Sequence, residues 1–355
     1  MMKAPTKTAK LLSLILAFML VSVLSFTGCG SKPTASAGQG LDLTVYGSCD
    51  EEHVARVCEA FEKSTGVKTT FVRMSTGEVY ARIKEEAANP QAGVWYGGPN
   101  DPYIVAASEG LLAPYEAQNA KNLLSEAYIG EEGRWYGIYS GYIGFICNED
   151  LLKEKNLPVP TSWADLIDPK YQNCISFANP GASGTGYNIV STLVQLMGEK
   201  EAMEYLSALD KNIKQYPKTG GGPSKLVGSG ELEIAIGMLH DGITQQKLGY
   251  DNVVLSAPSE GTGYEIGATA IIANSKQEEA AKLFIEFALT PECQQIGQEV
   301  GAYQFLTVEG AKNPPEADVL SNTKLIDYDF SWSADNRERL VNEWNKYITA
   351  DKIVV

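Results

Sequence analysis

The sequence predicts an α/β protein of two lobes, with a ligand cleft between them. Three observations carry that expectation. After an N-terminal leader the chain alternates strand and helix patterns in βαβα order, which implies a parallel sheet covered by helices. Without the leader of 28 residues, 327 of the 355 remain (355 − 28), longer than one hydrophobic core comfortably serves. A long strand-like stretch in mid-chain, and a later strand returning towards the first half, supply crossings that would join two lobes.

The first element is not part of the fold. Lys3, Lys7 and Lys10 form a basic region, followed by an apolar run from Leu11 to Leu24 that only Ser13 and Ser22 interrupt. So short a run reads as an export signal rather than a spanning helix. It closes on Phe26-Thr27-Gly28-Cys29, which resembles a bacterial lipobox with Phe26 where Leu is usual. Residues 1–28 are therefore expected to be removed and Cys29 lipidated, anchoring the protein outside the cell membrane. Residues 29–40, rich in Ser, Pro, Thr, Ala and Gly, read as a flexible tether. The first lobe is expected to hold residues 41–138 and 264–310, and the second 139–263 and 311–355.

Leu41–Gly47 reads as the first strand, and Asp50 starts a helix with Val54, Val57, Cys58 and Phe61 on one face and Gly66 as its stop. Val67–Met74 is a second strand. Ser75-x-x-Glu78 then has capping-box spacing for a helix carrying Val79, Ile83 and Ala87. Val94–Pro99 is a strand end, and Tyr103–Leu111 a short helix. Trp135–Asn148 is too long for one ordinary strand and reads as two segments passing between the lobes. Pro158–Trp163 is expected to begin a helix and Cys174–Pro180 to form a strand, with Gly181–Gly186 opening the helix Tyr187–Met197. Ile234–Met238 is a buried strand ending in His240 and Asp241, with Gly242 as the turn. Val253–Ala257 and Gly267–Ala273 are further strands. Helices over Gln277–Leu289, Pro291–Val300 and Arg337–Tyr347 complete the chain.

Composition excludes several functions. Formal net charge is −15, and −18 once the three lysines of residues 1–28 are gone. Such a chain lacks the basic footprint for nucleic acid or anionic lipid. Beyond Cys29 there are five cysteines in no CxxC pair, so neither a zinc site nor a disulfide framework is indicated. They read as buried thiols, with a Cys147–Cys174 bridge left open.

The chemistry lies in a recurrence. Three Ser/Thr/Gly clusters follow strands: Ser75–Gly77, Gly181–Gly186 with Ser183 and Thr185, and Thr219–Ser224. Helix N-termini present unpaired N–H groups and a positive dipole end, so such clusters can hold phosphate, phosphonate or carboxylate without a lysine. Trp95 and Tyr96 beside Gly97-Gly98 either stack on a sugar or pack at the strand end. Glu265 enters a buried strand, where a carboxylate needs a partner or a ligand. With His240 and Asp241 it makes a polar triad suited to hydroxyls. The same three residues could ligate a metal, but their separation carries no metal signature. No GxSxG or HExxH motif supports a secreted phosphatase.

The lipobox-like leader, Val45-Tyr46-Gly47-Ser48, Trp95-Tyr96-Gly97-Gly98, Ser183-Gly184-Thr185-Gly186 and the terminal helices resemble the solute-binding proteins of ABC importers, in the group often labelled ferric-iron binding. The resemblance covers the mature chain. It implies a type II periplasmic-binding-protein fold, hinge closure on a small anionic ligand, a monomer, delivery to the transmembrane subunits of an ABC permease, and no cofactor or catalysis. Iron-binding members hold Fe(III) with adjacent tyrosines where this chain has Met238-Leu239-His240-Asp241. The pair with Glu265 resembles instead the hexose-phosphate branch, shared with phosphonate and other organophosphate binders. That similarity assigns sugar hydroxyls to His240, Asp241 and Glu265, and phosphate to Ser75, Thr76, Ser183, Thr185 and Ser224. Ser48 would also reach the cleft.

Overall fold

The structure, a computed structural model, describes residues 38–354; the export signal, Cys29 and tether residues 29–37 lie outside them. The last tether residues form a turn, with the Gly38 N–H donating to Thr65 O at 3.1 Å.

Strand β1 (Asp42–Gly47) feeds helix α1 (Glu51–Thr65), whose Val54, Val57, Cys58 and Phe61 share a buried face and whose end is closed by Gly66 at φ 77°. Edge strand β2 (Lys68–Arg73) leads to α2 (Thr76–Glu85), where the Glu78 carboxylate accepts from the Ser75 N–H at 3.0 Å. Next come β3 (Val94–Pro99) and α3 (Asp101–Ser108). The long β4 (Tyr136–Asn148) and short α4 (Glu149–Glu154) carry the chain across. The second half continues with β5 (Ile175–Ser176), α5 (Gly184–Met197), α6 (Glu199–Asp210), β6 (Ile213–Gln215), α7 (Gly222–Gly228), β7 (Ile234–Met238) and α8 (Leu239–Lys247). After β8 (Val253–Ser256) and β9 (Tyr264–Ile271) come α9 (Glu278–Ala288), α10 (Pro291–Glu299), β10 (Phe305–Leu306) and α11 (Phe330–Trp344).

The strands run in the order β2-β1-β3-β9-β4-β7-β5-β6, with β8 and β10 also on β4. Pairings β1–β2, β1–β3, β5–β6 and β5–β7 are parallel, as the βαβ order demands. β4 is the join: residues from Tyr136 to Tyr142 pair with β9, and Ile143–Cys147 pair with β7. One lobe packs its core around β1, β3 and β9, with Phe61, Tyr96 and Phe284 on one face. The other packs around β5, β6 and β7, with Trp163, Tyr216 and Trp344.

Several expectations are corrected. Tyr136–Asn148 is one strand of 13 residues rather than two segments, because partners along both halves keep its hydrogen bonds filled. A register shift between Gly137 and Tyr139 absorbs the change of direction. No α-helix begins at Pro158–Trp163; two 3-10 turns, Ala164–Ile167 and Pro169–Tyr171, stand there instead. The strand expected over Cys174–Pro180 is only Ile175–Ser176. The last helix starts at Phe330, where Asp329 caps it by accepting from the Trp332 N–H at 2.8 Å. Gly242 is not a turn but lies inside α8, and a Cβ there would stand 2.3 Å from Leu255 Cδ2. The five cysteines within the described residues are free and buried, so Cys147 and Cys174 are unbridged.

Candidate functional site

Beyond the C-terminal ends of β1, β2, β3 and β7, the N-termini of α1, α2, α5 and α8 face one cavity. It holds about 680 Å³ of space free of protein atoms, part of it open to solvent. Open α/β sheets bind ligands beyond their strand ends, where loops are free of the ladder and helix N–H groups are unpaired.

Ser48 follows β1. Its N–H donates to Tyr96 O at 2.8 Å, and its Oγ accepts from Trp95 Nε1 at 2.9 Å. Trp95 therefore stands behind Ser48, fully buried and stacked on Tyr103 at 3.7 Å, and does not line the cavity. Its aromatic character packs the strand end, the second of the two readings the sequence allowed. Ser75 and Thr76 start α2 and line the cavity from one lobe, and Ser183 and Thr185 do so from the other. Ser183 accepts from the Gly186 N–H at 3.2 Å. Gly98 sits at φ 79°, and a Cβ there would stand 2.4 Å from Thr76 Oγ1, so only glycine lets the chain pass. The third cluster divides. Gly220 and Gly221 line the cavity, but Ser224 turns away and donates to Gly221 O at 2.9 Å.

The polar triad is assembled from two elements. His240 and Asp241 lie in the first turn of α8, and Glu265 is the second residue of β9. All three line the cavity. A Cβ on Gly141 would lie 2.5 Å from His240 Nδ1 and 3.4 Å from Glu265 Oε1, so both side chains press on the bare backbone of β4. His240 Nε2 is 3.6 Å from Asp241 Oδ1 and 3.5 Å from Gln304 Nε2, while Nδ1 has no partner. Burial pushes the His240 pKa down to about 4, so the ring is neutral at pH 7. Burial raises the Glu265 carboxyl to about 8 and Asp241 to about 7, with the Asp241 charge adding to the first and the Asp50 charge to the second.

Sequence reading missed Arg73, Asp50, His53, Tyr139, Thr244 and Gln304, which also line the cavity. Arg73 matters most. It ends β2, two residues before the Ser75 cap, and its Nε donates to Cys49 O at 3.2 Å. Its terminal nitrogens form no ion pair with the described residues, so a guanidinium is held ready for an anion. That position just before a capping box was the available signal.

The walls touch. The Gly77 N–H donates to Ala182 O at 3.2 Å, Lys218 Nζ pairs with Glu78 Oε1 at 2.8 Å, and Lys225 Nζ lies 3.5 Å from Asp50 Oδ1. A Cβ on Gly77 would meet Ala182 O at 2.8 Å and Gly181 O at 2.9 Å. Gly77→Val should therefore oppose this closed arrangement by about 1–3 kcal/mol, as overpacking does. Ligand affinity should fall about tenfold or more, with the melting temperature of the empty protein little changed. Calorimetric titration beside a thermal melt checks this, and unaltered affinity would mean that the contact is not needed.

Known proteins share this architecture. Residues 105–332 match a family described as bacterial extracellular solute-binding protein. The periplasmic binding protein AfuA from Actinobacillus pleuropneumoniae, solved with exogenous fructose-6-phosphate bound, is 36% identical. It superposes with a TM-score of 0.84 over 87% of this chain and 99% of its own. A Haemophilus influenzae protein is 35% identical over 324 residues, 89% of this chain and 93% of its own length. A Salmonella typhimurium periplasmic protein named for 2-aminoethylphosphonate binding is 31% identical over 245 residues, 66% of this chain and 68% of its own. With its two α/β lobes joined by crossing strands, the chain belongs to the bacterial extracellular solute-binding proteins, on the type II periplasmic-binding-protein fold.

Proposed function

We propose that this protein captures a phosphorylated small molecule, a sugar phosphate in preference, by hinge closure between the lobes and delivers it to the permease of an ABC importer. The observation that carries the reading is the division of one cavity into two chemistries. Arg73, the hydroxyls of Ser48, Ser75, Thr76, Ser183 and Thr185, and the N-termini of α2 and α5 suit an anion. His240, Asp241, Glu265 and Gln304 suit the hydroxyls of a sugar. The likeness to AfuA, whose structure carries fructose-6-phosphate, supports the same ligand class. Residues 41–138 with 264–310 would form one closing lobe, and 139–263 with 311–355 the other. Lipid anchoring through Cys29 would hold the protein, as a monomer, at the outer face of the cell membrane.

Ferric iron is the less favoured cargo. It calls for phenolates, and the one tyrosine among the described residues lining the cavity, Tyr139, accepts a hydrogen bond from the Gly98 N–H at 2.7 Å while burial keeps its pKa well above the ordinary value. AfuA and the Salmonella typhimurium relative are named for binding, in keeping with binding rather than turnover. A phosphonate is the nearer competitor, since it would share the anion groups.

Titration calorimetry with hexose phosphates, phosphonates and inorganic phosphate tests the reading, and no heat with any of them would overturn it. Within the site, Ser75→Ala should cost about 0.5–1.5 kcal/mol, the loss of one neutral donor among several. Asp241→Ala should cost about 1.5–3 kcal/mol, because it removes a group able to bond as a charge. Equal and negligible losses in the two variants would move the ligand elsewhere.

A further inference from the structure

The third Ser/Thr/Gly cluster is the one whose Ser224 hydroxyl faces away from the cavity, and its place in the fold gives it another use. It lies in Lys218-Thr219-Gly220-Gly221-Gly222-Pro223-Ser224-Lys225, a glycine run between two lysines that leads from β6 into α7. The middle of this segment lies against both halves of the site. A Cβ on Gly220 would stand 2.5 Å from Thr185 Oγ1 and 3.3 Å from Ser183 Oγ, and one on Gly221 would stand 3.6 Å from Asp241 Oδ2. Two successive residues thus pass the anion hydroxyls and the Asp241 carboxylate as bare backbone. The polar groups of the segment hold its own curve: the Gly222 N–H donates to Thr219 O at 3.1 Å, and Ser224 Oγ to Gly221 O.

Each end of the segment is fastened to the opposite wall. Lys218 Nζ pairs with Glu78 Oε1 at 2.8 Å, and Ser75 Oγ donates to Lys218 O at 3.4 Å. Lys225 Nζ lies 3.5 Å from Asp50 Oδ1. The two acids hold matching places, since Asp50 directly precedes α1 and Glu78 stands in the first turn of α2. Glu78 has both oxygens engaged, Oε2 by the Ser75 N–H at 3.0 Å and Oε1 by Lys218. A helix start that faces the ligand is therefore tied to the far wall through one carboxylate. Neither lysine lines the cavity. Two lysines beside an anion site also suit steering, but a lysine already paired with a carboxylate has little field left at a distance.

We infer that residues 218–225 are a strap that closes on the bound ligand, and that Lys218 and Lys225 are positioning residues that hold it shut without touching the ligand. The inference rests on the phosphorylated-ligand reading and adds what retains the ligand. The ligand leaves when the strap parts from α1 and α2. The two ion pairs therefore set how long it stays rather than how fast it arrives.

Glu78→Gln is the decisive variant. Glutamine keeps an oxygen for the Ser75 N–H, so the cap survives while Lys218 loses its counter-charge. Release of glucose 6-phosphate should become roughly two- to fivefold faster, the range an exposed ion pair supports, with association little changed. If the lysines only steer the anion, removing a carboxylate beside the cleft instead speeds association and leaves release alone. Lys218→Met and Lys225→Met should each speed release by a similar factor, and together by about tenfold, where steering alone predicts slower association. The full chain is used throughout. Titration calorimetry gives the dissociation constant, a rapid-mixing chase of radiolabelled glucose 6-phosphate gives the release rate, and their quotient gives association. Melting temperatures of the empty variants should barely move, because exposed pairs add little to stability. Unchanged release in Glu78→Gln and in the double lysine variant overturns the strap and leaves the sugar phosphate carrier standing. A wild type that binds neither glucose 6-phosphate, inorganic phosphate nor a phosphonate ends the underlying reading, and the strap with it.

Discussion

Arg73→Gln should weaken binding of a phosphate-bearing ligand by about a hundredfold, roughly 3 kcal/mol. Among the described residues Arg73 is the one lysine or arginine lining the cavity, in a protein whose formal net charge is −15. The surrounding field therefore repels an anion, and the local guanidinium must offset it together with the helix N-termini. Its Nε is tied to Cys49 O, which fixes the plane and presents the terminal nitrogens without further loss of side-chain freedom. Lysine should restore only part of the affinity, because an ammonium cannot make the paired bonds of the fork. Titration calorimetry on Arg73→Gln and Arg73→Lys checks both statements. Folding stability should barely change, since the side chain is only half-buried and makes one hydrogen bond. A variant that binds as the wild type does would place the anion away from β2.

Glu265→Gln should stabilise the empty protein at pH 8, by about 4 kcal/mol, while weakening ligand binding. Burial raises this carboxyl from the ordinary 4.5 to about 8. Between those values the unfolded chain has released its proton and the folded chain has kept it. The folded state then binds more protons, so stability falls as pH rises across the interval. Glutamine removes the titration and the loss with it. Wild type and variant should converge below about pH 4.5, where the acid is protonated in the folded and the unfolded chain alike. His53 and His240 act in the opposite sense. Burial lowers each to about 4, so as pH falls below 6.5 the unfolded chain takes up protons that the folded one refuses until about 4. Stability of the empty wild type should thus decline on both flanks, and the variant should lose only the Glu265 share of the alkaline one, since Asp241, raised to about 7, still contributes there. Thermal melts across pH 4.5–8 measure this. A variant less stable at pH 8 would show that the carboxyl is satisfied in the folded chain. A group that costs stability when empty and improves binding when filled is what a ligand site demands.

How far the sequence reached can be judged residue by residue. The apolar run Ile234–Met238 announced a buried strand, and the imidazole and carboxylate after it announced something beyond its end. That they would sit in the first turn of a helix was hidden, because glycine reads as a turn until its neighbours are known. Gly242 lies within the helix, and it is glycine there because Leu255 packs where a Cβ would be. The capping box at Ser75 and the glycine clusters were legible since they act over three or four residues. Which clusters face the cavity was not: Ser224 satisfies itself on Gly221 O, and Trp95 spends its N–H on Ser48. Arg73 went unnoticed because an arginine ending an edge strand looks like any solvated charge until the sheet brings Cys49 and the α2 cap beside it.

The sequence by itself determined the α/β class, the two lobes, the helix starts that could hold an anion and the His240–Asp241 pair, all set by periodicity and short-range capping. Tertiary structure alone decided that Glu265 and Asp241 line one cavity and that Arg73 enters it with them. Those facts depend on strand order and on burial. Residues 24 positions apart become neighbours only when β9 and β7 flank one long crossing strand, and a carboxyl becomes costly only when water has left it.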